Sequence, residues 1–164
     1  LEESARMRRK LGESELARGN TEAAIEELRR ALELDPDDTA ALFKLGETHF
    51  RFAARQPKAH WRQKISRFYY AAYNVTRALR LHVAGEYSTD VKDHQRIERL
   101  PDDFPSKERF ANQLKALRED RNLCDYDHTK RAADLVLGTN QSASLVTEFL
   151  NEAREYLKRR GLGV

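Results

Sequence analysis

The residues best placed to do chemistry lie in one run, Arg121-Asn122-Leu123-Cys124-Asp125-Tyr126-Asp127-His128. An arginine can grip a phosphate or carboxylate through two parallel hydrogen bonds. A histidine titrates near neutrality and can move a proton. The run closes a helical pattern whose apolar face reads Phe110, Leu114 and Leu117, in steps of four and three. The next step of four lands on Arg121, so a cation stands where the stripe predicts another leucine. If the helix persists, Arg121 and His128 share one face, two turns and roughly 10 Å apart. An unpaired buried charge is costly, so this guanidinium is either paired or used for binding. The plainer alternative is a basic helix end that suits its own dipole, with His128 on a loop.

The elements that must position this run are helices. Charged residues make up 35% of the 164, with only seven Gly and four Pro, which favours helix over sheet. The length suits one domain with a small appendage. No stretch approaches the ~18 apolar residues that span a bilayer, and no leader is expected, so no membrane partner is predicted. The single cysteine, Cys124, excludes an intrachain disulfide and fits a reducing, cytoplasmic setting. A formal net charge of +3 does not by itself point to nucleic acid. Basic residues do cluster from Arg6 to Lys10, from Lys58 to Arg67 and from Lys158 to Arg160. Such clusters either neutralise phosphates or are solvated helix faces.

The first helix reads over 1–19 and ends at Gly19-Asn20. Thr21 reads as the cap of a second, with Ala24, Ile25, Leu28, Ala31 and Leu32 inward and Pro36 as its stop. A third runs from Asp37-Asp38 to about Arg55. It carries two apolar stripes, one of Leu42, Leu45, His49 and Phe52, the other of Phe43, Gly46, Phe50 and Ala53. Such a helix is expected to be covered on two sides. The longest helix reads from Lys58 to Ala84, with Trp61, Ile65, Phe68, Ala72, Val75 and Leu79 as core, broadened by Tyr69, Tyr70 and Tyr73. A short helix over 90–100 and a loop with Pro101 and Pro105 precede a helix capped by Ser106 that carries Arg121. The stretch 129–138 reads equally as extended or weakly helical. Thr139 and Asn140 read as the cap of a final helix that Gly161 ends.

Leu11-Gly12 recurs as Leu45-Gly46, 34 residues on. That is the tetratricopeptide period. Ala24, Leu28, Ala31 and Pro36 stand where that family places small, large, small and Pro, so the first unit resembles a tetratricopeptide repeat. The second unit resembles it only through its first helix, because Lys58 and Arg62 replace the small and large residues. The alternative is a plain helical hairpin with the same packing. On this reading residues 1–37 form a hairpin and 38–164 a helical bundle.

The long helix carries Ser66-Arg67-Phe68-Tyr69-Tyr70-Ala71-Ala72-Tyr73-Asn74, which resembles the signature of HEPN domains (higher eukaryotes and prokaryotes nucleotide-binding). Asp93-His94-Gln95 looks like the stretch that follows in compact prokaryotic members. Arg121 to His128 falls where that family carries an Arg and, four to six residues on, a His. The resemblance implies an all-α fold: an antiparallel four-to-five-helix up-down bundle, here preceded by a helical hairpin, dimerising through its motif helices. Many such proteins are metal-independent ribonucleases, some acting as toxins beside a nucleotidyltransferase antitoxin. It then implies that Arg121 stabilises the phosphorane, that His128 serves as general acid or base, and that Asn122 holds a phosphate oxygen. Asp125, Tyr126, His94 and Arg67 complete the candidate substrate-binding set. No Gly-rich phosphate loop or metal-ligand spacing is visible, so neither cofactor nor metal is expected.

Two functions follow. One is an RNA-cleaving or RNA-binding module resting on Arg121, Asn122 and His128. The other is a non-catalytic, dimeric interaction or nucleotide-binding scaffold, in which the hairpin binds a protein partner and Asp125 merely neutralises Arg121.

Overall fold

A computed structural model describes residues 2–85 and 97–164. Among the described residues six α-helices follow one another: α1 (Glu2–Ala17), α2 (Thr21–Leu34), α3 (Thr39–Arg55), α4 (Trp61–Ala84), α5 (Lys107–Tyr126) and α6 (Gly138–Arg159). The fold is all-α, and no strand occurs among the described residues. The short helix expected over 90–100, with Asp93, His94 and Gln95, lies outside the described residues as far as 96. Ile97 and Leu100 beyond it are buried in the core.

The α1–α2 turn follows from Gly19, whose φ of 83° is open to glycine without steric cost. Asn20, rather than Thr21, occupies the cap of α2, and its side-chain amide reaches back to Glu15 at 2.7 Å. With that amide engaged, Thr21 becomes the first helical residue and is buried. Asp38 caps α3 by accepting from the Ala41 N–H at 3.0 Å, and it also pairs with Arg9 of α1 at 2.9 Å.

Both stripes of α3 are used. Ala41 and Leu45 meet Ile25 and Leu28 of α2 in a small cluster, while Leu42, Phe43 and Ala53 join the main core. The recurring glycines explain how closely the helices approach. A Cβ on Gly12 would lie 2.7 Å from Leu28 Cγ, and one on Gly46 would lie 2.8 Å from the Ala71 carbonyl oxygen. Each glycine therefore admits the following helix, and the α3–α4 contact repeats the α1–α2 contact one period on.

Helix α4 is the spine, in contact with α3, α5 and α6. It begins at Trp61, after a tight 3-10 turn at Lys58–His60, and ends at Gly85 with φ 66°. Ile65, Phe68, Ala72, Val75 and Leu79 are buried as expected, but Trp61 is only half-buried. On α6, Arg154 pairs at 3.1 Å with Glu47, a buried carboxylate of α3. The loop with Pro101 and Pro105 drives Phe104 between Phe110, Phe149 and Tyr156, with ring centroids 5.3–5.8 Å apart.

Two expected caps are corrected. Ser106 takes a left-handed conformation (φ 54°) and makes no cap hydrogen bond to α5. Helix α6 starts at Gly138, so Thr139 and Asn140 lie inside it. Its cap comes from another helix: the fully buried Asp120 accepts from the N–H groups of Val136, Leu137 and Gly138 at 2.6, 2.8 and 3.1 Å. A carboxylate there meets the positive end of the helix dipole. The ambiguous stretch before it holds only a short 3-10 turn, Ala132–Asp134.

Candidate functional site

Helix α5 keeps its inward ridge as far as Arg121. Phe110, Leu114 and Leu117 are buried, and the Arg121 side chain is 11% exposed. Its Nε lies 2.8 Å from Asp125 Oδ2, one turn on. That Nε still has no well-aligned hydrogen bond, so the contact is an ion pair by distance and not a directed bond. The two Nη atoms donate to the Tyr70 hydroxyl and to Asn122 Oδ1, each at 3.2 Å. The guanidinium carbon sits 5.0 Å from the Tyr69 ring centroid, 5.7 Å from Tyr70 and 5.4 Å from Tyr126. Cations gain from aromatic faces at such distances. Burial works against the Arg121 charge, but the Tyr70 hydroxyl, Asp125 and Tyr126 more than offset it and hold its pKa above the usual arginine value.

The predicted pairing of Arg121 with His128 on one helical face is not formed. Helix α5 ends at Tyr126, and Asp127 is extended, with φ −121° and ψ 94°. Asp127 then turns the chain by accepting from the Thr129 hydroxyl at 2.6 Å and the Thr129 N–H at 3.1 Å. His128 is exposed in that turn, and no hydrogen bond or ion pair holds its ring among the described residues. Tyr126 is 71% exposed and covers Arg121 from outside instead of entering the core. Of the other candidates, Asn122 and Asp125 gather around Arg121, and Arg67 lies apart on α4.

Arg67 and Asp125 share the walls of a cleft of about 740 Å³ between the hairpin and the bundle. Arg29 of α2, Phe52 of α3, and Arg62, Gln63 and Ser66 of α4 also line it. Arg67 donates to Nδ1 of the buried His49 at 3.3 Å and lies 4.9 Å over the Phe52 ring. His49 is therefore the satisfied interior histidine its stripe predicts. Burial, reinforced by the charges of Arg67 and Arg29, pushes its pKa down to about 3 and keeps the ring neutral.

Two positioning residues escaped the sequence reading. Asp120 is one. Arg62 is the other: it donates to the carbonyls of Leu123, Cys124, Asp127 and Lys130 at 2.6–3.2 Å. It thereby ties the last turn of α5, through Leu123 and Cys124, to the loop that follows, through Asp127 and Lys130. In sequence Arg62 was one member of a basic cluster, and its partners lie more than sixty residues away. Beside it, Cys124 is buried, and that burial pushes its thiol up to about 12, away from reactive thiolate. No group of three His, Cys, Asp or Glu side chains able to hold a metal occurs among the described residues.

A family model described as TPR repeat matches residues 12–51, from the middle of α1 through most of α3. The match falls on the segment that the 34-residue recurrence marks out, and it supports the helical hairpin as a tetratricopeptide-type unit. No curated protein and no solved structure matches the chain. No helix among the described residues is long and apolar enough to cross a membrane.

Proposed function

We propose that this chain is a non-catalytic helical scaffold whose α1 outer face binds an amphipathic helix of a protein partner. The observation that carries this is an inequality between equivalent positions of the repeat. Ala41 and Leu45 of α3 are 0% and 5% exposed because α2 lays Ile25 and Leu28 on them. One period earlier, Met7 and Leu11 of α1 are 59% and 44% exposed. The occupant that fits is thus a helix with the stripe of α2, aliphatic at i, i+3 and i+7 like Ile25, Leu28 and Leu32. Covering what is left exposed of the methionine and the leucine contributes about 1 kcal/mol each, roughly half the value of full burial. The tetratricopeptide match supports this reading, since such repeats commonly mediate protein interactions.

A fluorescent, hydrocarbon-stapled helix with the sequence Thr21–Leu34 serves as the probe. Its anisotropy is expected to saturate with the intact chain, and Met7→Glu/Leu11→Glu is expected to weaken binding tenfold or more while helical circular dichroism is unchanged. Equal binding to both proteins, or none to the unaltered chain, contradicts the proposal.

The ribonuclease reading of the HEPN resemblance has one feature in its favour: Arg121 contacts Tyr70 and Asp125, two walls of the cleft. With it go a homodimer sharing the motif helices, a nucleotidyltransferase partner and His128 as proton carrier. The scaffold reading is preferred because both Nη atoms of Arg121 are bonded within the chain and a carboxylate faces its Nε.

A further inference from the structure

The cleft between hairpin and bundle is unevenly charged. Arg29, Arg62 and Arg67 line it against one carboxylate, Asp125, which is already paired with Arg121. Arg62 is spent on backbone carbonyls. Arg29 and Arg67 differ: neither has a carboxylate within 4.0 Å among the described residues, although most other arginines of the hairpin do. They also feel each other. Burial first, and then the Arg29 charge, lower the pKa of Arg67, with Tyr70 and Glu22 opposing. Two like charges held in one concavity are unfavourable, and a bound anion would relieve them.

Arg67 is held in place for such a ligand. His49 takes one of its N–H groups from below and Phe52 supports its plane. Because burial keeps His49 neutral, the ring can accept that hydrogen bond without adding a third charge. The hydroxyl of Ser66 and the amide of Gln63 add neutral donors on the same wall. The volume of about 740 Å³ lies within the range of small-molecule sites.

We infer that this cleft is a binding site for the phosphate group of a small phosphomonoester, held between Arg29 and Arg67. Two guanidinium groups balance a phosphate dianion and can each meet two of its oxygens. The Asp125 carboxylate, which also lines the cleft, disfavours a second anionic group, so a polyanionic strand fits poorly. It favours a ligand body with hydroxyl or amino groups. The site draws on both the hairpin and the bundle, and it is separate from the outer face of α1.

Calorimetric titration of the full chain at low salt tests this, with adenosine monophosphate, inorganic phosphate, adenosine and succinate as probes. Adenosine monophosphate is expected to bind, inorganic phosphate to bind more weakly, and adenosine not at all. Arg29→Gln is expected to lose tenfold or more in affinity. Arg29 is exposed and has no ion pair to lose among the described residues, so this variant is expected to keep the fold. Arg67→Gln is expected to lose at least as much. Phosphate binding as tightly as the nucleotide would identify free phosphate as the source while still supporting the site. The inference is overturned if neither phosphate probe binds at millimolar concentration, if Arg29→Gln binds unchanged, or if succinate binds and the phosphates do not.

Discussion

Replacing Asp120 by alanine is expected to cost the chain about 3–5 kcal/mol of folding stability. The carboxylate is fully buried and accepts three N–H groups where the chain enters α6. Removing it leaves those donors without partners in a site closed to water, and each such loss costs about 1–3 kcal/mol. It also removes a negative charge from the positive end of a helix dipole, worth up to about 2 kcal/mol in a partly buried setting. Asp120→Asn keeps one acceptor oxygen and is expected to fall between the two. Urea unfolding at pH 7 measures this. A loss below about 1 kcal/mol for Asp120→Ala would mean that the entry into α6 is held by something else.

The second large effect is expected at Gly46. A Cβ there would lie 2.8 Å from the Ala71 carbonyl oxygen and 2.8 Å from Val75 Cγ2. The carbonyl belongs to the backbone of the central helix and cannot rotate away, so α3 and α4 must separate. Overpacking of this kind typically costs about 1–3 kcal/mol, set against up to about 1 kcal/mol gained in helix propensity. Gly46→Ala is expected to lower stability by about 1–2 kcal/mol net. Gly12→Ala meets mainly the Leu28 side chain, at 2.7 and 3.0 Å, which can shift. Its loss is therefore expected to be clearly smaller. Thermal unfolding of the two variants side by side reads the difference. Equal losses, or the reverse order, would remove the argument that the two glycines differ in what they face.

These two residues also mark where sequence was and was not informative. Gly12 and Gly46 could be found because each lies in a repeat, and a repeat turns a tertiary contact into a periodic one. The double stripe of α3 was readable for a similar reason: which faces a helix buries is written every three or four residues along it. The same periodicity placed a cation on the inward ridge at Arg121, and the side chain is indeed enclosed. What periodicity does not carry is where a helix stops. Asp127 ends the register one residue before His128, and the pairing with Arg121 is lost there. Nor does it carry partners distant in sequence. Asp120 caps a helix sixteen to eighteen residues on, and Arg62 reaches carbonyls of the last turn of α5 more than sixty residues away. The role proposed for Arg29 rests on a cleft that α2 and α4 line together, although the two are distant in sequence.

Whether Arg121 closes the bundle or serves a reaction decides between scaffold and enzyme. The most direct measurement is cleavage of a fluorogenic RNA by the purified chain, compared with Arg121→Ala and His128→Ala. With Arg121 bonded to Tyr70 and Asn122 and facing Asp125, the expected rate is that of buffer alone, the same for all three proteins. Cleavage by the unaltered chain that disappears in both variants would contradict the scaffold and establish the motif as catalytic.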